Sequence, residues 1–273
     1  MFFLLAAATA CSPGAVFSAL GALQESCRPP VVLTLTNHGL GVDLMPVVRA
    51  LVTGLRTGRP VRVEEAPWHY AKGVCPAESL RCFFKPVVYD LYCAKRRMAD
   101  VTGCSHLEDT VFKYLTQPTA ALEGAVQKFV DSITITQPCV AIHVRRTDTL
   151  LNDGWDHKKK LFKWVPLSAY VKEAERFEAA TTFLFTDDAT VLDETSAFDR
   201  DWQWIDRPRH KGTEGGWENH FPSGDRTTEM AVILALRRLT SMCGVLVGSR
   251  SSFGKLMFLG MRNAEYVLVD TRA

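Results

Sequence analysis

The 273-residue chain is 47% hydrophobic, enough for one large core or two medium ones, which excludes an intrinsically disordered protein. Its 32 basic and 30 acidic residues nearly cancel, so no global field draws nucleic acid or an anionic membrane to it, and any anion site has to be local. Eight cysteines include no Cys-x-x-Cys pair, which argues against a zinc knuckle or a thioredoxin-type motif.

Residues 2–24 carry no charge, and the apolar run 2–8 is followed by the small residues Thr9 and Ala10. This pattern fits a secretory signal peptide or short signal anchor over residues 1–30, although it lacks a basic start. Pro13, Gly14 and Gly21 make it a poor membrane span, and a buried N-terminal helix is the alternative. Residues 31–35 read as a strand, and the turn holding Gly39 and Gly41 leads into a helix. Its stripe is Leu44, Val47, Val48, Leu51, Val52 and Leu55, stopped by Gly58 and Pro60. A second strand over 61–63 completes a βαβ unit. Gly39-x-Gly41 resembles the start of a dinucleotide fingerprint, with Glu64 and Glu65 as ribose ligands, but the third glycine would fall at Leu44.

Residues 66–110 show no sustained period and read as loop and short helix; four cysteines crowd into 75–104, a region for disulfide stapling in an oxidising compartment. A helical pattern runs over 120–133, and Gln137-Pro138 breaks the chain. The expected domains are therefore 31–138, an open-sheet α/β domain, and 139–273, a nucleotide-binding one.

The second domain repeats one pattern three times. An apolar strand over 140–144 ends in Arg145, Arg146 and Asp148; a strand over 182–185 ends in Asp187 and Asp188; a strand over 245–247 ends in Ser251 and Ser252. Two arginines alone fit a surface ion pair with Asp148 better than a phosphate, because charged residues at strand ends are common and mostly solvated. Parallel strands joined by right-handed crossovers, however, bring all three clusters to one carboxyl edge, where open α/β sheets bind ligands. An arginine fork matches phosphate oxygens, and Ser251 and Ser252 open a helix, serving either as a phosphate seat or as a cap. Asp187 and Asp188 are ribose or base ligands on one reading and helix starters on the other. His143 shares the face of Arg145 and is a base reader or a core histidine. The Gly248–Leu256 region departs from the Walker A spacing, and no third carboxylate or histidine completes a metal set, so neither an ATPase nor a metal cofactor is expected. The lysines around 158–160 read as a solvated loop.

At this point His143-Val144-Arg145-Arg146-Thr147-Asp148 resembles the signature of the α-1,6-fucosyltransferases that modify N-glycan cores. Asn37-x-Gly39-x-Gly41, Trp68-x-Tyr70-Ala71, Phe112-Lys113-Tyr114-Leu115, Thr186-Asp187-Asp188 and Ser251-Ser252 follow that family in the same order. The resemblance implies a GT-B-like α/β fold of two Rossmann-like domains with parallel sheets facing a cleft. It also implies a GDP-fucose donor, inversion, no metal, a glycan or glycoprotein acceptor, and residence in the secretory pathway, in the Golgi. By position, Arg145 and Arg146 would hold the diphosphate, His143 the guanine and Ser252 the phosphates, with Gly39, Gly41, Asp148, Asp187, Asp188 and Ser251 completing the donor set. The family places a lysine after the signature and a glutamate four residues beyond; this chain has Thr149 and Asp153, so Asp153 is the candidate base. The family's acidic residue before the serine loop is Ala235 or Leu236 here, and its glutamine after the serines is Phe253. Those departures keep two other readings open: a nucleotide-sugar or glycan-binding protein without catalysis, and an NAD-dependent oxidoreductase using the Gly39-x-Gly41 turn.

Overall fold

The computed structural model describes residues 12–26, 28–36, 40–64, 67–85, 101, 103–104, 106–147, 164–211, 224–249, 251–261 and 264–269. Two compact units divide at residue 120.

The first unit holds helix α1 (Pro13–Gln24), strand β1 (Val31–Leu33), helix α2 (Leu40–Thr57), strand β2 (Val61–Val63), two 3-10 turns and helix α3 (Leu107–Leu115). The expected βαβ unit is present: β1 and β2 pair in parallel, Val31 opposite Val61, with α2 as the crossover. The α2 stripe is buried through Leu44, Val47, Val48, Leu51, Val52 and Leu55. The helix stops at Gly58, whose positive φ of 68° suits the residue just past a helix end and whose N–H donates to the Gly54 carbonyl at 2.7 Å.

Pro13–Gln24 is a core helix, with Val16, Ala19, Leu20 and Leu23 buried. The Gln24 side chain completes the outer edge of β2: its amide donates to the Val61 carbonyl at 2.6 Å and its carbonyl accepts from the Val61 N–H at 2.9 Å. Two satisfied backbone groups and six buried residues give this helix a place in the core of the first unit. Residues 1–11 lie outside the described residues. No helix among the described residues is long and apolar enough to cross a membrane.

The second unit holds helix α4 (Ala120–Asp131) and a five-stranded, all-parallel sheet. Its strands are β3 (Cys139–Val144), β4 (Thr181–Thr186), β5 (Trp202–Gln203), β6 (Val245–Ser249) and β7 (Glu265–Val269), in spatial order β5-β4-β3-β6-β7. Helices α5 (Leu167–Ala174), α6 (Thr190–Glu194), α7 (Arg226–Thr240) and α8 (Ser252–Phe258) fall between them in the chain. The unit begins before Gln137-Pro138 because α4 belongs to it: Arg238 of α7 forks onto Glu123 of α4 at 2.6 and 2.7 Å.

The central strand β3 is buried at all six positions, as a strand covered on both faces must be, and Val140, Ile142 and Val144 pack with Leu184, Val247, Leu167 and Tyr170. A disulfide at the amino edge of the sheet joins Cys139, the first residue of β3, to Cys243, just before β6; another closes Cys75 to Cys82 inside the cysteine-rich region. Strands β5 and β7 flank the three strands read from sequence. β5 has only two residues and shows no period, whereas β7 is followed in the sequence by Asp270, Thr271 and Arg272.

Candidate active site at the carboxyl edge of the second sheet

The strand order runs outward from β3 to β4 and β5, then returns to the other side of β3 for β6 and β7. The reversal lies between β3 and β6, and in open α/β sheets the crevice beyond such a switch point receives the ligand. Arg145 follows β3 there and Ser251 follows β6.

Asp187, just past β4, organises this edge. Its carboxylate accepts from Arg145 Nη1 at 2.7 Å, from the Arg146 backbone N–H at 2.9 Å and from the Thr147 hydroxyl. Burial alone would raise the Asp187 pKa, but Arg145, the Thr147 hydroxyl, the Arg146 N–H and His143 together hold it below the usual carboxylate value. Thr147 has a positive φ of 41°, a costly conformation for a β-branched residue that its hydrogen bond to Asp187 helps hold. Asp187 is thus placed as the orienter of Arg145, a role that neither the ligand nor the helix-starting reading of the sequence contains.

The two arginines, given one task by the sequence, are separated by the structure. Arg145 keeps 15% of its side chain exposed at the edge. The Arg146 side chain is 2% exposed and forks onto Glu194 of α6 at 2.5 and 3.2 Å; its Nη2 also donates to the Val165 carbonyl at 3.0 Å. The Trp164 ring lies 4.8 Å from its guanidinium carbon, and Glu194 also accepts from the Leu167 N–H at 2.7 Å. Arg146 therefore ties β3 to α5 and α6, whereas Arg145 stands at the open edge. The physical reason is alternation: neighbouring residues leaving a strand point to opposite faces.

Asp188 is buried and accepts from the Thr190 N–H at 3.0 Å and the Thr190 hydroxyl at 2.8 Å, the helix-starting role. Ser251 caps α8, its Oγ accepting from the Gly254 N–H at 2.8 Å, and Ser252 is exposed beside it. Gly41 lies buried inside α2 in the first unit, and the Leu40 N–H that a pyrophosphate would need donates to the Tyr70 hydroxyl at 2.9 Å, which argues against the oxidoreductase reading. Gly39, Asp148 and Asp153 lie outside the described residues. Among the described residues no group of three or more His, Cys, Asp or Glu could hold a metal ion.

His143 is 3% exposed, stacked on Phe185 with centroids 4.7 Å apart and flanked by Phe253 at 5.6 Å. A side chain at Gly254 would come within 3.0 Å of its Nδ1, so glycine is what lets α8 approach the ring. Burial, opposed by Asp187 and reinforced by Arg145, lowers the His143 pKa to about 3. The imidazole is neutral when folded and takes a proton near 6.5 when unfolded, so stability falls as pH drops from 6.5 toward 3. The expected slope is about 1.4 kcal/mol per pH unit. Urea unfolding between about pH 4.5 and 6.5 checks this, because His143→Leu should flatten the dependence there.

Sequence reading missed Arg207 and Arg209, on the segment after β5. Arg207 donates to the Thr186 carbonyl at 3.3 Å and pairs with Glu229 of α7 at 3.4 Å, both side chains being buried. The Arg-Pro-Arg run at 207–209 was the available signal, but only a strand at 202–203 carries it to this edge.

A parallel sheet with guanidiniums and a capped helix start around its switch point is the arrangement of a GT-B-like fold. More particularly, residues 104–211 match the model of the alpha-(1,6)-fucosyltransferase N- and catalytic domains, so the resemblance read from the sequence stands. The fold is similar to the NodZ alpha-1,6-fucosyltransferase soaked with GDP-fucose, at 15% identity over 86% of this chain and 93% of that one, with a TM-score of 0.52. It is also similar to fucosyltransferase NodZ from Bradyrhizobium, at 14% identity over 86% and 94% of the two chains and the same TM-score of 0.52. No curated protein matches the chain.

Proposed function

We propose that the chain transfers fucose from GDP-fucose to a glycan hydroxyl, with inversion, in the manner of an α-1,6-fucosyltransferase. The observation that carries this reading is Arg145, held at the switch point by Asp187 at 2.7 Å inside the stretch that matches the family. Breaking the bond between sugar and phosphate leaves negative charge on the departing diphosphate. A guanidinium fixed beforehand in a partly buried edge stabilises that charge more in the transition state than in the bound donor. Arg145 has this part, with Ser252 and the start of α8 beside the phosphates and His143 beside the base. The acceptor hydroxyl must lose a proton, and Asp153 is the group proposed to take it. Transfer on a glycoprotein in the Golgi lumen fits the Cys75–Cys82 and Cys139–Cys243 disulfides, which persist in oxidising compartments.

Calorimetry with GDP tests the reading. Saturable binding is expected, and its absence at about millimolar nucleotide, a concentration reaching interactions of only 4 kcal/mol, would overturn it.

A further inference from the structure

Four described guanidiniums crowd the carboxyl side of β3 and β4, and three have a carboxylate of their own. Arg145 pairs with Asp187, Arg146 with Glu194 and Arg207 with Glu229. Arg209 differs. Its Nη1 donates to the Arg207 carbonyl at 3.0 Å and its Nη2 to the Ile205 carbonyl at 2.6 Å, while its Nε is buried with no hydrogen-bond partner among the described residues. The segment carrying it runs along the sheet edge: the Ala189 N–H donates to the His210 carbonyl at 2.7 Å, beside the bridge between Asp188 and His210.

We propose that Arg209 is an anion-binding residue of the donor site and takes a phosphate oxygen of the nucleoside diphosphate sugar. The inference rests on the function proposed above. With Arg146 committed to Glu194, Arg145 is left as the arginine of the signature that reaches the surface, and it already shares Asp187. A diphosphate brings more negative charge than this arrangement offsets. Arg209 supplies the missing cation, because main-chain carbonyls orient its fork without neutralising it. Its surroundings agree: burial first, then repulsion by Arg207, push its pKa down to about 10 against the pull of Asp206 and Glu229. An anion would relieve that strain.

The test is calorimetry on the full chain with GDP and, separately, with inorganic pyrophosphate, for wild type, Arg209→Gln and Arg209→Lys. Arg209→Gln should weaken both probes by about tenfold to a hundredfold, the range for a hydrogen bond to a charged group, and Arg209→Lys should recover part of the loss. The melting temperature without nucleotide should stay level or rise, since a half-buried cation beside Arg207, with no carboxylate in contact among the described residues, is removed. Wild-type affinity in Arg209→Gln, or a raised acceptor KM with GDP binding intact, overturns the proposal. If Arg209→Gln does not fold, Arg209→Lys decides, and wild-type affinity there overturns it equally. A wild-type chain that binds no GDP instead ends the reading of the donor site itself.

Discussion

Arg145→Ala is expected to lower turnover by about a hundredfold to a thousandfold, the loss that follows removal of one preorganised donor to developing charge. The reason lies in how Arg145 is held. Asp187 takes one of its Nη atoms and is itself fixed by the Arg146 N–H and the Thr147 hydroxyl, so the guanidinium needs little reorganisation during the reaction. Arg145→Lys should recover little, because an ammonium keeps the charge and loses the fork. Fucose transfer from GDP-fucose across a panel of glycan acceptors measures both variants. Unchanged turnover in Arg145→Ala would remove the residue from the mechanism. GDP binding with no transfer from the wild type would favour a nucleotide-sugar-binding protein.

Glu194→Ala should lower stability by about 3–5 kcal/mol, because it leaves a buried guanidinium without its main partner. Arg146 is 2% exposed at its side chain, and its next carboxylate, Asp188, is 3.9 Å away and already accepts twice from Thr190. The same substitution frees the Leu167 N–H at the start of α5. Urea unfolding of the ligand-free chain measures the effect. A loss under about 1 kcal/mol, the size of a surface pair, would show that Arg146 is compensated elsewhere. Replacing Arg146 and Glu194 together by Met and Leu should recover much of the loss, since a buried pair and well-packed apolar groups have similar net stability.

Adjacent arginines thus have different surroundings, Arg145 at the sheet edge and Arg146 against Glu194, and the difference marks how far the sequence could be read. The αβ pattern was legible because it is local: the α2 stripe, the apolar runs of β3, β4 and β6, and the polar cluster after each. Parallel topology then follows from the handedness of crossovers, which brings Arg145, Asp187 and Ser251 to one edge. The N-terminal helix was harder, since a short apolar run suits a targeting segment and a core helix alike, and the Gln24 contacts to Val61, 37 residues apart, leave no local mark.

By itself, then, the sequence determined the βαβ unit, the three central strands of the second sheet, the edge at which chemistry gathers and the family that its signature resembles. Tertiary structure decided what each charge faces. Glu194 reaches Arg146 across 48 residues and Glu229 reaches Arg207 across 22, and no local pattern encodes such partners. Whether a guanidinium is a ligand or a strut depends on the carboxylate opposite it, because a buried cation must be neutralised within a few ångströms, by the protein or by what it binds.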